Sequence, residues 1–102
     1  ITIRDATDIT YNDPDLVVQM LPTLQRVAGS GNVQSQKAVT GAEDFSYFQR
    51  EIPGCYFVLG GMTPGSKEAY PHHTPDFLID DSGLILGVKA LTEISLDYLN
   101  KS

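Results

Sequence analysis

The chain has 102 residues, of which 41% are hydrophobic, and its 13 acidic and 7 basic residues give a formal net charge of −6. This length can bury one small hydrophobic core and not two, and no apolar run is long enough to cross a membrane. The lysines and arginines are scattered and would not form a basic surface for a phosphate backbone, which argues against nucleic acid as a partner.

The N-terminal residues predict an extended segment. The chain begins with Ile1 and not with methionine, and apolar residues alternate with polar ones over residues 1–11, which is typical of an edge strand. We therefore expect the chain to be a segment of a longer soluble protein. The sequence leaves its compartment open between cytoplasm and periplasm.

The next stretch has the start and stop signals of a helix. Asp13 is suited to cap the free N–H groups of the first turn, and Pro14 is suited to the first helical position, where no N–H is needed. Apolar residues then recur at helical spacing. We expect a kink at Pro22, without a break into two helices, and an end at Gly29.

The middle of the chain predicts two strands with a short helix between them. Residues 33–39 alternate loosely between apolar and polar, as in a strand. Thr40 and Glu43 have the spacing of a capping box, in which the two residues satisfy each other's free N–H groups, ahead of a helix that reaches Ile52. The apolar run 55–59, which includes the single cysteine, is typical of a strand buried on both faces.

A loop over residues 62–69 is followed by a segment rich in proline and histidine and then by a long apolar helix. This last helix is expected to be capped by Asp80, Asp81 or Ser82. Because few positions on it are polar, we expect it to be buried against a sheet. The order of elements predicts the α/β class, a layered sheet with helices packed on it.

Both histidines, His72 and His73, stand side by side between Pro71 and Pro75. Imidazole is the side chain best suited to bind a transition metal or to move a proton near neutral pH, and the two prolines restrict the backbone around it. A catalytic zinc requires three protein ligands, and no HExxH or CxxC spacing is present to supply them. The residues alone therefore indicate a candidate ligand without a complete site, and histidines of a loop with no further task explain them equally well.

Three short blocks of sequence stand in a characteristic order and spacing. They are GAEDFSYF at residues 41–48, PGCYFVLGG at residues 53–61, and HHTPDF at residues 72–77 with the acidic pair 80–81. Together they resemble the C-terminal part of the M20-family metallopeptidases. The resemblance is closest to the amidohydrolase branch, which includes hippurate hydrolases, N-acyl-amino-acid hydrolases and auxin-conjugate hydrolases.

This resemblance implies a segment of a Zn-peptidase-like catalytic domain in a two-domain enzyme several times longer than this chain. Residues 1–11 would be the end of a lid-domain strand and the return segment, and residues 12–102 the C-terminal part of the catalytic domain. The family's catalytic domain holds a pair of divalent metals (Zn, Mn, Co or Ni), ligated mostly by residues outside this chain. Its substrates are N-acyl amino acids or small peptides, and the parent enzyme is expected to form homodimers. This segment alone is expected to be inactive.

The resemblance also assigns roles to individual residues. The family's late histidine ligand stands two residues before a proline, which corresponds to His73 and Pro75, and leaves His72 as a solvated or supporting residue. The resemblance implies that Glu43 is a substrate-binding carboxylate, and a catalytic role is the second possibility. A capping box with Thr40 would explain a glutamate at this position equally well.

The glycine pair Gly60 and Gly61 is implied to let a substrate approach the backbone, and a plain tight turn is the other explanation. The competing hypothesis for the whole chain is a stand-alone acidic α/β module that binds a metal or a partner without catalysis.

Overall fold

The computed structural model describes residues 1–2 and 7–100. Within these ranges the chain forms three α-helices, α1 (Pro14–Ala28), α2 (Phe45–Gln49) and α3 (Leu84–Asn100). Two single-turn 3-10 helices, Ser30–Asn32 and Asp81–Gly83, adjoin α1 and α3. The chain divides into two compact units, an N-terminal unit (Ile1–Phe57) and a C-terminal unit (Val58–Ser102).

Helix α1 has the boundaries that the sequence predicts. An Asp13 side-chain oxygen accepts a hydrogen bond from the Leu16 N–H at 2.9 Å, and Pro14 occupies the first helical position. The helix continues through Pro22 as one element, so the expected continuity is confirmed, and the kink stays a prediction. It ends at Gly29, whose φ of 85° is a left-handed conformation that glycine adopts without strain.

The predicted layered sheet is wrong, because none of the residues in 1–2 and 7–100 lies in a strand. The runs 33–39 and 55–59 are irregular, and the edge-strand prediction for 1–11 is wrong for residues 1–2 and 7–11. Residues 3–6 lie outside the described ranges. Extended backbone becomes a strand only when it exchanges N–H···O=C bonds with a neighbour. Alternation and apolar runs indicate a side-chain pattern but not a partner, and this chain is therefore helical with irregular connections.

In the N-terminal unit, the start of α1 is tied to the segment that contains Tyr56. The Asn12 side-chain amide donates to the Tyr56 carbonyl at 2.7 Å, and its oxygen accepts from the Tyr56 N–H at 2.7 Å. One residue later, the Asp13 N–H donates to the Gly54 carbonyl at 3.0 Å. The Asn12 side-chain amide thus bonds the Tyr56 N–H and C=O groups, which a neighbouring strand would bond in a sheet.

In the C-terminal unit, Asp80 begins the last helical stretch. Its side chain accepts from the Ser82 N–H at 2.9 Å, so Asp80, the first of the three predicted candidates, caps the 3-10 turn Asp81–Gly83 that leads into α3. The prediction that the helix is buried against a sheet is wrong, because Ile85, Val88 and Leu91 of α3 are 60%, 60% and 61% exposed. None of the described helices has the length and apolarity needed to cross a membrane.

Candidate functional site

The histidine segment of the C-terminal unit forms a tight turn. The Thr74 hydroxyl donates to the Pro71 carbonyl at 2.8 Å, and the Phe77 N–H donates to the Thr74 carbonyl at 3.1 Å. His73 lies within this turn and has a φ of 64°. Among the described residues it is the one residue other than glycine with a positive φ. Such backbone strain in a residue other than glycine is found disproportionately at active sites and ligand clamps.

The two histidines have different surroundings. The His72 ring lies against the Phe77 ring with centroids 4.7 Å apart, although both His72 and His73 are exposed. The two imidazole centroids are 6.3 Å apart and the rings are steeply inclined at 70°. The turn therefore presents two exposed imidazoles, of which His72 also contacts an aromatic ring.

A groove of about 540 Å³ lies within the C-terminal unit. Most of its wall is apolar, including Leu59, Met62 and Phe77. The ionisable side chains that line it are Glu68, Tyr70, His72 and Asp80. An apolar groove with a few polar groups is the usual form of a small-molecule site.

The two glycines that follow the apolar run differ in their environment. A Cβ on Gly61 would lie 3.1 Å from Cγ2 of Ile79, whereas one on Gly60 would have no atom within 4 Å. The Gly61 carbonyl also accepts a bond from the Asp80 N–H at 2.8 Å. Packing against Ile79 thus accounts for glycine at 61, and the open space is at Gly60. A role of either glycine in substrate binding stays a prediction.

Glu43 lies in the N-terminal unit and makes contacts that the capping-box interpretation does not predict. Helix α2 begins at Phe45 with Asp44 at its N-cap position, so Thr40 is too far upstream to cap it, and that interpretation is wrong. The Glu43 carboxylate instead accepts from the Phe45 N–H at 3.2 Å and from the Tyr56 hydroxyl at 2.9 Å.

The hydrogen bonds of the Glu43 carboxylate determine the protonation states of two residues, Glu43 and Tyr56, which form a hydrogen-bonded pair. The Phe45 N–H and then the Tyr56 hydroxyl lower the pKa of Glu43, because both bonds favour the charged carboxylate. The bond to Glu43 raises the pKa of Tyr56, because the phenol donates only while it keeps its proton. At neutral pH the pair is a carboxylate held by a neutral phenol.

Cys55 is a free thiol next to this pair in sequence, and it is half-buried. Burial raises its pKa, because desolvation disfavours the thiolate. A raised pKa is the opposite of what a nucleophilic cysteine requires. The thiol is therefore a packing residue.

Comparison with known proteins decides the family. The model of peptidase family M20/M25/M40 matches residues 1–97. The chain belongs to this family. The resemblance inferred from the three sequence blocks is thereby confirmed.

The M20 relatives are named for related activities. The chain is 32% identical over 99 residues to thermostable carboxypeptidase 2 of Saccharolobus solfataricus, covering 97% of this chain and 24% of that protein. It is 30% identical over 98 residues to IAA-amino acid hydrolase ILR1-like 2 of Arabidopsis thaliana, covering 96% and 22%.

A third relative is N-acetyldiaminopimelate deacetylase of Leuconostoc citreum, 33% identical over 85 residues, covering 83% of this chain and 20% of that protein. The chain thus spans about a quarter of the length of the curated relatives it matches. No solved structure matches it significantly.

The resemblance to M20 proteins implies a divalent metal, which requires several ligating side chains close together. Across the described ranges, no three side chains of the His, Cys, Asp and Glu types come close enough together to hold an ion. A metal centre needs at least three protein ligands. The described part of the chain therefore does not form a complete metal centre by itself.

Sequence reasoning missed Asn12 and Tyr56. Both were interpreted only as members of an element, Asn12 as part of a helix start and Tyr56 as part of an apolar strand. The available signal was the Tyr56 hydroxyl, because a phenol inside an apolar run usually requires a hydrogen-bond partner.

Proposed function

We propose that this chain is the C-terminal part of the catalytic domain of a metal-dependent hydrolase that cleaves amide bonds of N-acyl amino acids or small peptides. Membership of the M20 family supports the reaction class. The relatives' names, a carboxypeptidase, an amino acid hydrolase and a deacetylase, support a substrate in which an amide joins an amino acid to another group. In this proposal residues 1–11 return from a lid domain and residues 12–102 belong to the catalytic domain.

His73 is the residue of this chain that supplies a metal ligand in the proposal. The observation that carries this assignment is the strained, exposed position of His73 at φ 64° in a hydrogen-bonded turn. The neighbouring His72 is packed against Phe77 and has a supporting role. The other ligands of the divalent metal pair (Zn, Mn, Co or Ni) lie outside this chain, so that the isolated chain is inactive.

Glu43, Gly60 and Gly61 are the proposed substrate-side residues. Glu43 offers an ionised carboxylate with fixed hydrogen bonds, and Gly60 offers an open stretch of backbone. A carboxylate accepts hydrogen bonds from N–H groups, and an uncovered backbone can bond to a carboxylate or an amide of a substrate.

The test compares His73→Ala with His72→Ala in the whole enzyme. Metal content is measured by mass spectrometry after dialysis, and hydrolysis is measured on a panel of N-acetyl amino acids and dipeptides. We expect His73→Ala to lower metal affinity by more than the roughly 10–100-fold that loss of an outer-shell partner causes, with a matching loss of activity. His72→Ala is expected to keep its metal.

Full metal content and full activity in His73→Ala would remove His73 from the site. Tight binding of Zn²⁺ by the 102-residue chain alone would instead support the stand-alone metal-binding module. The two results separate the ligand assignment from the enzyme assignment.

A further inference from the structure

The Glu43 carboxylate is held at both of its oxygens. Oε1 accepts from the Phe45 N–H at 3.2 Å, and Oε2 accepts from the Tyr56 hydroxyl at 2.9 Å. A carboxylate has about four lone-pair sites. Lone pairs that these bonds do not use can accept from a further donor, and the carboxylate cannot rotate without losing a bond.

The Tyr56 side chain is fixed in turn. Its ring lies 5.5 Å from the Phe45 ring in a tilted arrangement. Ring packing of this kind restricts where the hydroxyl can point. Phe45 therefore contributes twice, through its N–H to Glu43 and through its ring to Tyr56.

The Tyr56 backbone is fixed from a distant part of the sequence. Asn12 bonds both the N–H and the carbonyl of Tyr56 at 2.7 Å each, across 44 residues. Asn12 directly precedes Asp13, the N-cap of the 15-residue helix α1. The backbone that carries the Tyr56 side chain is therefore hydrogen-bonded to the residue next to the start of a regular helix, and not to a loop alone.

We propose that Tyr56 is a positioning residue, whose hydroxyl holds the Glu43 carboxylate so that its free lone pairs accept a hydrogen bond from an N–H group of the substrate. This inference rests on the proposed function, in which Glu43 faces the substrate. Positioning by locked supporting residues is what a binding group needs to keep its geometry within a few tenths of an ångström. Asn12 and Phe45 are the supports of Tyr56.

The experiment is a double-mutant cycle of Tyr56→Phe and Glu43→Gln in the whole enzyme, with kcat and KM measured on the best-cleaved compound of the panel. Loss of a hydrogen bond to an ionised carboxylate corresponds to a roughly 10-fold change or more, and we expect kcat/KM of Tyr56→Phe to fall by this factor. If Tyr56 acts through Glu43, the double variant will be no worse than Glu43→Gln alone. Tyr11→Phe, which removes an exposed phenol elsewhere in the N-terminal unit, is the control.

A purely structural role of the pair predicts a different result. Tyr56→Phe would then lower the melting temperature but leave kcat/KM within twofold while the protein is folded, or the effects of the two substitutions on kcat/KM would add. Either result overturns the inference, even if His73→Ala loses its metal and the proposed function stands. A wild-type enzyme that cleaves no compound of the panel contradicts the proposed function and this inference with it.

Discussion

Gly54 lies at a point where three segments of the N-terminal unit meet. Its carbonyl accepts from the Asp13 N–H at 3.0 Å, and a Cβ built on it would stand 2.6 Å from Cγ of Gln49 and 3.2 Å from Cε1 of Phe45. Gln49 cannot move freely, because its side-chain oxygen accepts from the Tyr11 N–H at 3.0 Å. Glycine at this position is a steric requirement of the packing.

The steric requirement predicts the effect of adding one methyl group. Gly54→Ala is expected to lower the free energy of unfolding by about 1–3 kcal/mol, because overpacking forces neighbouring atoms to shift. Gly41→Ala is the matched control, since a Cβ there would meet nothing within 4 Å. Chemical denaturation of both variants checks the difference. Equal stabilities would show that the space around Gly54 relaxes easily.

At the scale of elements, α1 is the best-defined helix because both of its ends are closed locally. Asp13 accepts from the Leu16 N–H, and the Gly29 N–H donates to the Gln25 carbonyl at 2.9 Å. The first turn of a helix has unsatisfied N–H groups, and the last turn has unsatisfied carbonyls. Capping residues three or four positions away are sufficient to satisfy some of them, without help from the rest of the fold.

The cap predicts a measurable change in stability. Asp13→Ala is expected to lower the free energy of unfolding by about 1 kcal/mol, because the Leu16 N–H loses its acceptor. Asp13→Asn keeps a capping oxygen while removing the charge, and it is expected to stay close to wild type. Urea denaturation of the three proteins distinguishes capping from charge. Similar losses in both variants would assign the effect to the charge and not to the hydrogen bond.

At the scale of the whole molecule, three carboxylates make the stability depend on pH. The Ile9 N–H and then Arg50 lower the pKa of Asp8, and Ser82 lowers the pKa of Asp80. Glu43 is the third, with the Phe45 N–H as its first cause. A carboxyl group whose pKa is lower in the folded state stabilises the fold above its unfolded pKa, and it loses this contribution as the pH falls through its folded pKa.

The free energy of unfolding is therefore expected to be constant between about pH 5 and about pH 8 and to decrease as the pH falls below about 4, the ordinary carboxyl range. Urea denaturation at a series of pH values measures this slope. Glu43→Gln is expected to reduce the slope, because one of the three titrating groups is gone. A stability that stays level or rises on acidification would contradict the lowered pKa values.

Prediction from sequence succeeded where the deciding contacts are local. The boundaries of α1, the Asp80 cap and the family blocks depend on residues within a few positions of one another, and all were predicted. The strands were not, because an apolar run such as 55–59 does not carry the hydrogen-bond partner that makes it a strand. The prediction that α3 is buried failed for the same reason, because a helix with few polar positions requires a covering surface that its own residues do not provide.

The same difference between local and distant contacts applies to the candidate site. The spacing of His73 and Pro75 is local, and through its resemblance to the family pattern it predicts His73 as a ligand, a role that stays a prediction. The partner of Glu43 lies 13 residues away at Tyr56, and the partner of Tyr56 lies 44 residues away at Asn12. Contacts across such separations depend on how the chain folds back on itself. The sequence therefore predicted a capping box for Glu43, and the tertiary structure showed instead the hydrogen bonds that join Asn12, Tyr56 and Glu43.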